Sequence, residues 1–348
     1  MRRRPPGAST GVSDLSGRRK RMAAAAFILL GVSLLLVGGL VLIPLQRSPL
    51  MHAPPDQPSD FAAAVREIRR EIASTPGNIA EEARTILLDH GRPTERVFVL
   101  MHGLSNHPGQ FLQLGQELFQ RGHNVLIPRL PYHGDRNPMT GDWARLTAGD
   151  VLDTANRAVD LARGLGGNVT AAGLSLNGTA CAWLAQNRPD LDRAVILSPF
   201  LAPAGLPLWA ARPLERLLLR LPNMFFWWDA RRRAEMPRPP FVYPRFPTRV
   251  IGETMCLGSE VYDEARRREP VCGAIVVVTT AADAAVSNAF TERLVSAWKM
   301  RKPGAVVTYQ FPKEENVPHD FIDPRQVNQQ VDRVYPRLIR LLEGGEPQ

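Results

Sequence analysis

Residues 171–180, AAGLSLNGTA, place a serine among small residues in the frame Gly173, Leu174, Ser175, Leu176, Asn177, Gly178. This differs by one letter from the G-x-S-x-G turn on which a strand-to-helix junction can present a serine nucleophile. A serine hydroxyl attacks poorly until a base takes its proton, and the base needs a carboxylate to orient it and balance its charge. In such folds the acid and then the histidine come later in the chain, each after a further strand. That order is a severe filter here, because His52, His90, His102, His107, His123 and His133 all precede Ser175 and His319 alone follows it. His319 sits in ENVPHDFID, between the last predicted strand and the last predicted helix. Asp283 directly follows the apolar run AIVVVTTAA and is the candidate acid; its competing reading is a helix N-cap for AAVSNAF.

An acyl-transfer site also needs two backbone N–H groups aimed at the developing oxyanion. Leu176, next to the serine, offers one. The other is expected from the loop VLMHGLSNH, where Gly103 permits a tight turn and leaves the Leu104 N–H as donor. His102 and His133 read as loop-fixing residues bonded to backbone. Cys181, within the predicted helix of residues 176–187 and without a suitably spaced histidine, is a poor rival nucleophile. Cys256 and Cys272 either pair in an oxidising compartment or stay as two free thiols.

These residues must be carried by ordered elements, and the apolar periodicity supplies them. Phe61, Val65, Ile68 and Ile72 step by four, three and four, the signature of an amphipathic helix. Beyond it, strand-like runs (RVFVLMHG, HNVLIPRLP, NVTAAGLS, RAVILSPF, AIVVVTTAAD, AVVTYQF) alternate with helical ones. The helix TAGDVLDTANRAVDLARGLG carries an N-cap candidate at Thr147, and PRQVNQQVDRVYPRLIRLLEGG is the last. Strict alternation implies a parallel sheet covered on both faces. Residues 201–268, rich in Pro, Arg and bulky apolar groups, break the rhythm and read as an inserted lid or cap; its apolar face would suit an apolar acyl substrate.

The formal net charge of +9 raises nucleic acid as a partner, but its placement argues against it. Seven basic residues and Asp14 in residues 1–21 account for six of those charges, leaving three for the rest of the chain. Residues 23–43 then run 21 positions without a charge, which as a helix would reach roughly 31 Å, about the thickness of a bilayer core. The basic flank on the N-terminal side places residues 1–22 in the cytoplasm and the rest across the membrane. A cleaved signal peptide is the alternative, disfavoured by the length of the run and the lack of a small-residue cleavage site in PLQRSPLMHAPP. The expected organisation is therefore a basic tail (1–22), a transmembrane anchor (23–43), a linker with an amphipathic helix (44–80) and a catalytic domain (81–348).

Taken in order, HGLSNHPGQF, IPRLPYHGD, GLSLNG, TTAADAAVS and PHDF resemble the α/β-hydrolase superfamily, in particular its bacterial carboxylesterase, monoacylglycerol lipase and lysophospholipase-like members. The resemblance runs from about residue 96 to the C-terminus. It implies the α/β-hydrolase fold, a triad of Ser175, Asp283 and His319, an oxyanion hole of Leu104 and Leu176, ester substrates of small-molecule or lipid type, and no metal or organic cofactor. An acyltransferase or thioesterase would share the same triad, and a catalytically silent lipid- or protein-binding domain is the reading from another class. The departure is Asn177, where the family has glycine. Asn tolerates unusual backbone conformations, so it is read as a variant that the turn accommodates, with Asn177→Gly expected to relieve crowding. The opposite result would give its side chain a role in fixing the loop that carries Leu104.

Overall fold

The computed structural model describes residues 55–232 and 240–346, with isolated positions between 21 and 43. The contact pattern divides the chain between Gln46 and Arg47, and the fold below belongs to the second unit. The expected anchor, residues 23–43, falls mostly outside the described residues. Among those described, no helix is long and apolar enough to cross a membrane.

Seven strands form one sheet in the order β1 (Ile86–Leu88), β3 (Asn124–Ile127), β2 (Thr94–Met101), β4 (Gly166–Leu174), β5 (Arg193–Leu197), β8 (Ala274–Thr280), β9 (Val306–Phe311). All neighbours are parallel except β1, which runs antiparallel to β3 at the edge. The sheet is thus mostly parallel, as expected, with β1 the one antiparallel member. Three residues are too few for a periodic signal, and an edge strand needs a partner on one side only.

Side chains alternate between the sheet's faces, as a two-residue period requires. On β2, Val97, Val99 and Met101 enter one core, and Phe98 and Leu100 the other. Helices α1 (Phe61–Ala73), α3 (Ala148–Leu165), α4 (Leu176–Asn187), α6 (Thr248–Arg267) and α7 (Asn288–Arg301) contribute to the first core. Helices α2 (Leu112–Gln120) and α8 (Val331–Leu342) cover the second. Because the central strands are covered twice, they read as continuous apolar runs, and each buried Val, Leu or Ile contributes on the order of 1.5–3 kcal/mol. Helix α3 begins at the expected N-cap: Thr147 and Asp150 form a reciprocal capping box.

The segment between β5 and β8, residues 198–273, holds α5 (Ala211–Arg220), an antiparallel pair β6 (Phe225–Trp227) and β7 (Arg245–Pro247), and then α6. Strand order reverses on either side of β2, since β3 lies on one flank and β4 on the other. Loops at the carboxyl ends of strands beside such a reversal form the crevice where open α/β sheets hold ligands.

Candidate active site

β4 ends at Leu174 and α4 begins at Leu176, so the whole change of direction falls on Ser175, whose φ is 59° and ψ −114°. A non-glycine residue held there stores on the order of 1–3 kcal/mol of strain, so its surroundings must over-determine it. They do: its N–H donates to Leu197 O at 2.9 Å, and its carbonyl accepts from Thr179 N and Phe200 N, both at 3.0 Å. The turn also folds the first helical residues over Gly173, where a Cβ would lie 2.2 Å from Asn177 O. No side chain fits there. The unusual backbone is thus at Ser175, while Asn177 is an ordinary helical residue. This corrects the reading of Asn177 as a residue chosen for conformational tolerance.

Asp283 stands in the turn after β8 with its side chain fully buried. Its Oδ1 accepts from the N–H groups of Ala285 and Val286, and its Oδ2 lies 2.8 Å from His319 Nδ1. Burial alone would push this carboxyl up, but the bond and charge of His319, with the two backbone donors, bring it below the ordinary 3.8. The N-cap alternative resolves into a division of labour: one oxygen shapes the turn and the other faces the histidine, while α7 starts later, after Ser287. With Nδ1 engaged, His319 has Nε2 left for other work.

Ser175 and His319 line one cavity of about 760 Å³, together with Leu104. Its apolar wall includes Phe200, Trp227, Trp228, Val242 and Phe246, all from the 198–273 segment. Its polar wall includes Asn106, Gln110, Asp320, Gln326 and Asn328. Leu176 adjoins Ser175 with its side chain in the core. As the first residue of α4, its N–H has no intrahelical acceptor and sits at the positive end of the helix dipole.

The loop after β2 is held by its own side chains. His102 Nε2 accepts from Leu130 N at 3.3 Å, which leaves Nδ1–H to donate to Gly103 O at 2.9 Å. That neutral form is the one burial favours, since it pushes His102 well below 6.5, aided by the neighbouring His133. His133 is likewise buried and held down to about 4, with Nε2 2.6 Å from Leu104 O. Both histidines fix loops, as expected. Cys181 is fully buried in α4, and burial raises its thiol pKa, away from nucleophilic use; Cys181, Cys256 and Cys272 form no disulfide.

Sequence reasoning missed the polar group beside His319. Asp323, fully buried, takes two bonds of 2.8 Å from Arg325, and Asp320 accepts from Gln326 Nε2 at 2.8 Å. Burial, then the charge of Asp323, raises the Asp320 carboxyl. The spacing in HDFIDPRQ carried the signal, two carboxylates three residues apart with an Arg two residues after the second.

The cavity thus brings together a strained serine, the candidate nucleophile, and an Asp-oriented imidazole, the candidate base, between apolar and polar walls. The sequence model described as the alpha/beta hydrolase family matches residues 98–342. No curated protein matches the chain. Among solved structures it is similar to the metagenome-derived lipolytic enzymes LipS and LipT, at 18% identity and a TM-score of 0.56, covering 76% of this chain and 99% of that one. It is similar to the monoacylglycerol lipase of Paleococcus ferrophilus, at 18% identity and 0.57, covering 74% and 97%. A soluble variant of the Saccharomyces cerevisiae monoglyceride lipase matches at 11% identity and 0.56, covering 75% and 91%. The fold is common to all three, and with the family model spanning the sheet from β2 to the last helix, the chain belongs to the alpha/beta hydrolase family.

Proposed function

We propose that this protein is a serine hydrolase that cleaves carboxylic esters through an acyl-enzyme. The observation that carries the reading is the 2.8 Å contact of Asp283 with His319, on a cavity that the strained Ser175 also lines. Ser175 Oγ attacks the carbonyl carbon while His319 Nε2 accepts its proton, and the carbonyl oxygen becomes an oxyanion facing the Leu104 and Leu176 N–H groups. The C–O bond to the alcohol then breaks, and His319 returns the proton to the leaving oxygen. Water, deprotonated by the same imidazole, attacks the acyl-enzyme; the carboxylic acid leaves and Ser175 regains its proton. Asp283 stays ionised throughout and orients the ring.

The aromatic wall supports acyl chains of medium length or lipid type, and the lipolytic and monoacylglycerol lipase relatives agree with that choice. The 198–273 segment serves as the lid or cap, since it supplies Trp227, Trp228, Val242 and Phe246 to the cavity. The uncharged run of residues 23–43 behind a basic flank supports a single-pass anchor with the catalytic domain on the extracytoplasmic side. The test is hydrolysis of p-nitrophenyl esters from acetate to palmitate by the purified chain, with fluorophosphonate labelling in parallel. Turnover that peaks at medium or long acyl chains, with stoichiometric labelling, is expected; neither turnover nor labelling would remove the reading. Protease added outside sealed spheroplasts should digest the chain beyond Pro44, and protection of that domain would reverse the orientation.

A further inference from the structure

Asn177 occupies the position where the G-x-S-x-G turn has glycine, and it is 1% exposed in the first turn of α4. Its Nδ2 donates to His102 O at 2.6 Å, across 75 residues of sequence. Two successive peptides of the loop after β2 follow from that contact. In the first, His102 O accepts from Asn177, and the Gly103 N–H at its other end donates to Gln110 Oε1 at 2.7 Å. The Gln110 amide also acts on Asp320, next to His319, where it holds the carboxyl down against the effect of burial. In the second peptide, Gly103 O accepts from His102 Nδ1 at 2.9 Å and from Asn106 N at 3.1 Å. Its other end is the Leu104 N–H. Because a trans peptide is planar with its C=O and N–H opposed, fixing Gly103 O fixes the direction of the Leu104 N–H.

We propose that Asn177 is a positioning residue for the oxyanion loop: its amide ties the serine turn to the His102–Gly103 peptide, so that the Leu104 N–H is aimed before substrate arrives. This rests on the reading of Ser175 as nucleophile. The contact links the two donors of the oxyanion hole directly, since Asn177 follows Leu176 in the chain and His102 precedes Leu104 by two residues. A glycine at 177 provides no such link. The amide is also retained at a loss, because Asn177 Oδ1 is buried with no hydrogen-bond partner. Gly or Ala would avoid that orphaned oxygen, so the donor is what the side chain offers that they do not. The tight approach in the turn falls at Gly173, where a Cβ would lie 2.2 Å from Asn177 O and 3.1 Å from Asn177 Cβ, so Gly173 is the glycine that the turn requires.

The test compares Asn177→Gly, Asn177→Ala and Asn177→Asp with the wild-type full chain. Active sites are counted by end-point fluorophosphonate labelling, and kcat, KM and the affinity for an alkylboronic acid that mimics the tetrahedral adduct are measured. A misaimed donor should lower kcat on the order of ten- to a hundredfold while KM stays within threefold. Boronate affinity should weaken by the factor lost in kcat/KM. Asn177→Asp, isosteric but without the donor, should fall at least as far as Asn177→Ala. A folded Asn177→Gly or Asn177→Asp with kcat within twofold of wild type overturns the proposal. If the Asn177 variants do not fold, Gln110→Ala releases the other end of the same peptide: a parallel loss of kcat and boronate affinity supports the clamp, and unchanged kcat overturns it. Ser175→Ala is the control that separates the two readings. Labelling lost in Ser175→Ala, with Asn177 variants like wild type, removes this inference alone; labelling that persists in Ser175→Ala removes the catalytic reading beneath it.

Discussion

On the sheet side of the cavity, at the carboxyl ends of β2, β4, β8 and β9, the candidate catalytic groups are held by paired polar contacts in a buried setting. Ser175 is 6% exposed, His102 and His133 are fully buried, and Asp283 has both oxygens engaged. On the insertion side, the cavity is bounded by aromatic rings that hold one another: Trp228 lies against Phe246, ring centres 4.3 Å apart and planes tilted by 37°, and remains 46% exposed. The β6–β7 pair beneath these rings is only three residues long on each strand. The difference separates two tasks. Aiming a proton transfer demands side chains and peptides fixed on every end, whereas accommodating an apolar chain demands only apolar area, which can be supplied by rings with room to shift.

The comparison breaks most visibly at the sheet side. His319→Ala should lower kcat by four or more orders of magnitude, and adding Ser175→Ala should cost little more, because the two act as one unit. Asp283→Asn should cost about 10³- to 10⁴-fold in kcat, since the amide can hold His319 in the wrong tautomer; steady-state kinetics on a soluble ester reads both. A loss of less than tenfold for Asp283→Asn would place the working carboxylate elsewhere.

Stability gives a second measure of how strictly this side is buried. Burial holds His107 and His133 down to about 4, and His102 also well below 6.5. With the folded-state values below the ordinary 6.5, the unfolded chain takes up protons first as the pH falls. Stability is therefore full above about pH 6.5 and declines towards pH 4, by up to ~3 kcal/mol each for His107 and His133. Asp283, also depressed but from 3.8, adds its loss only below that range. The thermal midpoint should be flat from pH 8 to 7 and fall steeply between 6 and 4.5. A midpoint unchanged at pH 4.5 would show that these rings are not neutral in the folded state.

The insertion side should give the smallest effects. Trp228→Ala should leave kcat on a short acetyl ester within threefold, while raising KM for long-chain esters by about tenfold, the loss of part of one aromatic contact. An equal loss on short and long esters would mean that the insertion shapes the chemistry as well as the acyl site.

What was legible in the sequence follows the same division. The central strands could be read because each is covered on both faces, and the pairing of Asp283 with His319 on the cavity of Ser175 could be anticipated because chain order left so few assignments. Helix α6 was not legible. Gly252 and Gly258 look like helix breakers, yet in the fold they admit close neighbours, with Cβ positions 3.0 Å from Leu218 and 2.9 Å from Leu201. The last helix was placed too early, because Asp323, Arg325 and Gln326 spend their side chains on the loop and α8 begins only at Val331. Asn177 was visible as a departure from its motif. Its partner, the carbonyl of His102, is a backbone group, which a pattern of side chains does not mark.

The most direct test of the central claim is the site of covalent modification. The wild-type chain is labelled to completion with a fluorophosphonate, digested and sequenced by tandem mass spectrometry. The account predicts one adduct, on Ser175, absent from Ser175→Ala and formed far more slowly in His319→Ala. An adduct on any other residue, or labelling of Ser175→Ala at the wild-type rate, would contradict it.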